Sequence, residues 1–155
     1  MTKEELMREA IRLSEDNVRN GGGPFGAVIA RDGEIVATGV NKVTSENDPT
    51  SHAEVNAIRA ACKALGTFDL RGCEIYSSCE PCPMCLGAVY WAHLDAIYYG
   101  NDKKDAAAIG FDDAFIYREL ALKPSERALK SSRFLAGEAS GAFRMWTQKE
   151  DRIEY

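Results

Sequence analysis

The chain has 155 residues, 45% of them apolar and 28% charged, a balance that predicts one ordinary folded domain spanning residues 1–155 and excludes a disordered chain. A formal charge of −5, with Lys and Arg scattered along the chain, excludes generalised attraction to a phosphate backbone, so polymeric nucleic acid is not an expected partner. No run approaches the roughly 20 apolar residues of a membrane span, and the opening Met1-Thr2-Lys3-Glu4-Glu5 is too charged for a secretion signal, so the expected location is the cytoplasm, away from membranes.

Leu6, Ala10 and Leu13 recur at helical spacing beside Met7 and Ile11, which predicts an amphipathic helix over residues 3–19, ended by the glycines at 21–23. Residues 27–30 and 34–38 are β-prone runs separated by Arg31-Asp32-Gly33, and Asp-Gly in that position predicts a hairpin. After a polar loop over 41–49, residues 52–65 read as a second helix, with Thr50 or Ser51 near its cap and no breaker before Gly66. Residues 74–78 predict a third strand, 84–92 a third helix and 96–99 a fourth strand, a spacing that makes a crossover unit with parallel strands. Residues 112–120 read as helix, 128–135 as a fifth strand and 143–150 as a final helix. No repeat, low-complexity tract or linker interrupts the chain.

Five cysteines, an odd number with three of them in Cys79–Cys85, do not form a disulfide framework in a chain without a secretion signal; metal or thiol chemistry fits better. Two segments carry the chemistry. His52-Ala53-Glu54 opens the second helix and Pro81-Cys82-Pro83-Met84-Cys85 opens the third. Cysteines two residues apart in a turn can hold one metal together, and helix N-terminal amides favour thiolates. One imidazole and two thiolates form a zinc-like set that leaves a fourth tetrahedral position for water, whose pKa zinc lowers to about 7. Glu54, two residues past His52, is free to act as the proton shuttle. A closed structural zinc with Cys79 or His93 as fourth ligand remains the alternative. His93 receives no role, and Cys62 and Cys73 read as buried thiols.

H-x-E followed by P-C-x-x-C is the signature of the zinc deaminases, and here the chain resembles the cytidine deaminase superfamily, within it the small bacterial guanine deaminases. The likeness is closest in Gly23-Pro24-Phe25-Gly26-Ala27-Val28-Ile29, Asn47-Asp48-Pro49-Thr50, Ser78-Cys79-Glu80-Pro81-Cys82-Pro83-Met84-Cys85 and Gly110-Phe111-Asp112-Asp113. The resemblance implies an α/β fold with three α/β/α layers around a five-stranded mixed sheet, and one zinc ion per subunit on His52, Cys82 and Cys85. It also implies a homodimer in which the C-terminal segments, about residues 140–155, are exchanged to cover the partner's active site. Phe25 would stack on a purine, Asn41 would bond its edge, Ala53 would meet it beside the metal and Trp91 would wall the pocket. Asp113 would contact the edge carrying the amino group, and the terminal Tyr155 would close the partner's pocket. The implied reaction is hydrolysis of guanine to xanthine and ammonia in purine catabolism, with Glu54 as the general acid and base. Guanosine, cytosine and transfer-RNA adenosine remain alternative substrates, and a non-catalytic zinc module is the alternative from another class. Residues 127–141 match no pattern of the family.

Overall fold

Helix α1 (Lys3–Arg19) starts at a capping box: Thr2 Oγ1 accepts from the Glu5 amide at 3.1 Å while Glu5 Oε2 accepts from the Thr2 amide at 2.8 Å. The computed structural model describes every residue, Met1–Tyr155. Strands β1 (Gly26–Arg31) and β2 (Glu34–Val40) form the expected hairpin. Asp32 and Gly33, both at positive φ (50° and 78°), make the two-residue turn that matches strand twist. The short helix α2 (Val43–Glu46) lies in the loop before α3 (Ala53–Leu65). Then β3 (Glu74–Cys79), α4 (Pro83–Ala92) and β4 (Ala96–Asn101) form the crossover, and β3 and β4 pair in parallel as their spacing requires.

The sheet runs β2-β1-β3-β4, with β1 antiparallel to both neighbours. Alternation along β1 builds the layers. Val28 and Ala30 pack with Leu6, Ala10 and Tyr76 under α1, whereas Ala27 and Ile29 pack with Ala53 and Ala57 of α3 and with Val89 and Ala92 of α4. Helices therefore cover both faces of a mixed sheet.

The sheet has four strands and not the expected five. Residues 128–135 are irregular: Ala-Leu-Lys-Ser-Ser-Arg-Phe-Leu contains no β-branched residue, and without a ladder partner such a run has little reason to extend. The final helix, expected over 143–150, begins earlier, as α7 (Ala136–Gln148). Before it come α5 (Lys103–Ala108), α6 (Asp113–Ala121) and a 3₁₀ turn at Pro124–Glu126.

The chain divides into two units, Met1–Tyr117 and Arg118–Tyr155. The first holds the whole sheet and both apolar clusters. In the second no residue is buried, and Leu129, Phe134, Phe143 and Met145 are 73% to 82% exposed. No helix is long and apolar enough to cross a membrane.

Helix α3 lies close against β2 at Gly39. A Cβ at Gly39 would collide with the Ala53 carbonyl oxygen and the Ala57 amide nitrogen, and α3 opens at Ala53, next to His52. Gly39→Ala should therefore cost about 1–3 kcal/mol of stability by overpacking, a fall of several degrees in Tm by calorimetry; an unchanged Tm would contradict this packing.

Candidate active site

His52 occupies the N-cap position of α3 and Cys82 that of α4, which Pro83 then opens. Neither residue caps its helix with its side chain, so imidazole and thiol are free for other work. Ser51 does not cap either. It is fully buried, and its hydroxyl donates to Glu46 Oε2 at 2.9 Å and accepts from Asn56 Nδ2 at 3.0 Å, which ties the preceding loop to α3. Thr50 bonds Asp48 instead, through amide and hydroxyl.

The two helix starts meet. His52 Nδ1 lies 3.5 Å from Cys82 Sγ and 3.4 Å from Cys85 Sγ, and the three donors fall within 4.8 Å of one another. A tetrahedral zinc ion with bonds of about 2.1 Å to nitrogen and 2.3 Å to sulfur separates such donors by about 3.6 Å, so these residues fit zinc. Cys79 stands apart from the set: its Sγ is directed to the Asp102 carbonyl at 3.8 Å, and burial pushes its thiol pKa up to about 12. His93 ends α4 in the left-handed conformation, φ 58°. Neither joins the three-donor cluster, which is the arrangement of an open site.

The electrostatics follow from crowding. Cys85 donates to the Cys82 sulfur and, with His52 close by, holds the Cys82 thiol well below the ordinary thiol range. Cys85 is correspondingly pushed well above the ordinary thiol range by its bond to Cys82 and by burial. His52 is raised by its bond to Cys82. Glu54, only 6% exposed, is raised above the usual carboxylate range by desolvation.

A cavity of about 310 Å³ opens beside the cluster, and Phe25, Asn41, His52, Glu54, Cys82 and Asp113 all line it. A larger, more open hollow of about 570 Å³ between α1 and β4 contains none of the cluster residues. Asn41 is almost wholly buried, and its Oδ1 accepts from the Val43 amide at 3.1 Å, so its side-chain NH₂ is the donor left for a ligand. Asp112 Oδ1 caps α6 by accepting from the Phe115 amide at 3.2 Å. Asp113 is thereby left to the cavity, its carboxyl raised by burial and by the nearby Cys82. Ala53, by contrast, is part of the core between α3 and the sheet. Trp91 is 67% exposed near the end of α4 and does not line the cavity, and Tyr155 belongs to the second unit.

Several contributors carried no signal of their own in the sequence. Phe111 lines the cavity and stands edge-on to Phe25 at 5.0 Å and 84°, within the Gly110–Asp113 stretch already singled out. Asn17, at the end of α1, donates from Nδ2 to the Gly23 carbonyl at 2.7 Å and to the Asn41 carbonyl at 2.9 Å, joining the loops that carry Phe25 and Asn41. Glu80 lines the cavity next to the cysteine turn. None of these contacts has a local periodicity that would reveal it.

Set beside known proteins, residues 1–101 match the cytidine and deoxycytidylate deaminase zinc-binding region. Guanine deaminase of Bacillus subtilis is 48% identical over 156 residues, covering 100% of both chains, and its X-ray structure superposes with a TM-score of 0.96 over 100% of this chain and 99% of that one. A tRNA-specific adenosine deaminase of the same organism is 43% identical, but over 64% of this chain and 63% of its own. A crystal structure of the protein NE0047 in complex with 8-azaguanine is 30% identical with a TM-score of 0.70, covering 90% of this chain and 73% of that one. The matched region spans both His52-Ala53-Glu54 and the cysteine turn, and the chain belongs to the cytidine and deoxycytidylate deaminase zinc-binding family.

Proposed function

We propose that the protein is a zinc-dependent hydrolase that converts guanine to xanthine and ammonia in purine catabolism. The observation that carries this reading is the buried Glu54 in a cavity shared with an open His-Cys-Cys cluster and walled by Phe25. The choice of guanine draws on the full-length similarity to a guanine deaminase. The similarity to an adenosine deaminase of transfer RNA spans only 64% of this chain, and a charge of −5 disfavours a polyanionic substrate.

His52, Cys82 and Cys85 would hold one zinc ion per subunit, which when bound would lower the pKa of a water enough for it to attack at neutral pH. Phe25 offers its ring face to the planar purine. The Asn41 NH₂ donates to an acceptor on the purine edge, and Asp113 meets the edge that bears the amino group. Glu54 takes a proton from the attacking water and passes it to N3 as oxygen adds at C2. It then delivers the second proton to the amino nitrogen, which departs as ammonia and leaves xanthine. Water and guanine together account for every atom of the products.

The reading extends to a cytoplasmic homodimer in which each second unit covers the partner's cavity, residues 140–155 reaching over it with Tyr155 as the lid and Trp91 contributing to the wall. Two features support it. The second unit buries none of its residues within its own chain, and α4 is apolar all round yet leaves Met84, Tyr90 and Trp91 exposed, which is unusual for a helix that meets only water.

Glu54→Gln should keep zinc by elemental analysis and lose at least 10²- to 10⁴-fold in guanine turnover, the usual contribution of proton transfer; near-normal turnover would overturn the assignment. Exchange of C-termini makes a separate prediction. Neither Glu54→Gln nor a chain ending at residue 139 should turn over guanine, but the two co-expressed should regain activity, because the tail of one subunit completes the cavity of the other. Inactivity of the co-expressed pair would mean that each tail serves its own subunit.

A further inference from the structure

Tyr117 lies one helical turn beyond Asp113 on α6, so the two side chains leave the same face of the helix. Its hydroxyl donates to the Pro81 carbonyl at 2.7 Å, and Pro81 is bonded to Cys82. The Tyr117 ring carries the Lys103 ammonium 4.6 Å above its centre, a cation–π contact that holds the ring in place. The Lys103 amide in turn donates to Glu80 Oε1 at 3.1 Å. Three segments are thus drawn together at one corner of the cavity: the cysteine turn, the start of α5 and the first turns of α6. Glu80 and Asp113, the acidic side chains at that corner, both line the cavity.

The bond to Pro81 ties α6 to the cysteine turn. The loop before the helix is held by Phe111, whose ring meets Phe25 and whose amide bonds the Ala106 carbonyl, while Asp112 is used up as the cap. The tether one turn further along is a second hold, on the face that carries Asp113. We propose that Tyr117 is a positioning residue: through the Pro81 carbonyl it locks α6 onto the cysteine turn and thereby sets where the Asp113 carboxyl stands relative to the metal ligands and the bound base. This deepens the proposed function and rests on the reading that Asp113 meets the substrate.

The test is a double-mutant cycle read by calorimetric binding of guanine in the Glu54→Gln protein, where the bound base is not consumed. Tyr117→Phe keeps the ring and its contact with Lys103 and removes only the hydroxyl. It should weaken guanine binding about two- to tenfold, the range for one neutral hydrogen bond, with zinc content and Tm unchanged. In a chain already carrying Asp113→Ala, the same substitution should change the affinity by less than about 1.5-fold, because the tether then has nothing to position. Unchanged binding in Tyr117→Phe would overturn the proposal, as would a loss that adds in full to that of Asp113→Ala. Loss of zinc or of the fold on so small a change would also overturn it, by making Tyr117 a general support. If the Glu54→Gln parent binds no guanine at all, the substrate reading itself fails and takes the proposal with it; the other contrary outcomes leave guanine as substrate and remove only the role of Tyr117.

Discussion

Two thiols and an imidazole lie within 4.8 Å of one another, with Cys85 fully buried and Cys82 nearly so, and a cation shared among them would let all three take their ligand forms. Thiolates at that separation repel, and the bond between the two thiols lowers Cys82 while raising Cys85. A divalent cation held by the three donors would relieve that repulsion. The fold exists to create this meeting point. Helices α3 and α4 lie on the same face of the sheet and pack into one apolar cluster, so their N-termini, 30 residues apart in sequence, arrive side by side. Gly39 lets α3 sit close enough on β2 to do so, and the β3-α4-β4 crossover returns the cysteine turn to the C-terminal end of β3, where open α/β sheets place their ligands.

Around that point each element contributes one group to the cavity. α3 contributes a carboxylate that is nearly dehydrated and therefore basic. The loops after α1 and β2 contribute an aromatic face and an amide donor, clamped together by the side chain of Asn17. α6 contributes the Asp113 carboxyl, of raised pKa, beside the cysteine turn. A cavity of about 310 Å³, lined by one carboxamide, Asn41, and three carboxyls, Glu54, Glu80 and Asp113, is of the size and polarity of a small-molecule site. The exposed apolar side chains of Arg118–Tyr155 are a different kind of statement. A segment carrying Leu129, Phe134, Phe143 and Met145 with none of them buried is chemically suited to a surface outside its own chain.

The most legible part of the protein in sequence was the chemistry. That His52, Cys82 and Cys85 would meet was readable because ligand type and spacing are local properties, set by one turn and one helix start, and Glu54 falls in the cavity beside them. The Asp32-Gly33 hairpin, the first helix and the parallel crossover were readable for the same reason: turn chemistry and periodicity act over a few residues. Residues 128–135 were misread as a strand because pairing depends on a partner edge that sequence does not display, and α7 began seven residues earlier than its aromatic residues suggested because Ala136, Glu138 and Ala139 suit a helix despite the glycines between and after them. Phe111, Asn17 and Tyr117 were illegible as site residues. Each acts through a contact made across the fold, and although Phe111 lies in the Gly110–Asp113 stretch the resemblance picked out, nothing local showed which residue its ring would meet.

The most direct measurement is ammonia release from zinc-loaded protein mixed separately with guanine, guanosine, cytosine and adenosine, with the ultraviolet spectrum of each product followed in parallel. The account predicts ammonia from guanine alone, accompanied by the spectrum of xanthine. Release only from another of the four would keep the zinc site and contradict the assignment of the cavity, and no release from any would contradict hydrolytic deamination itself.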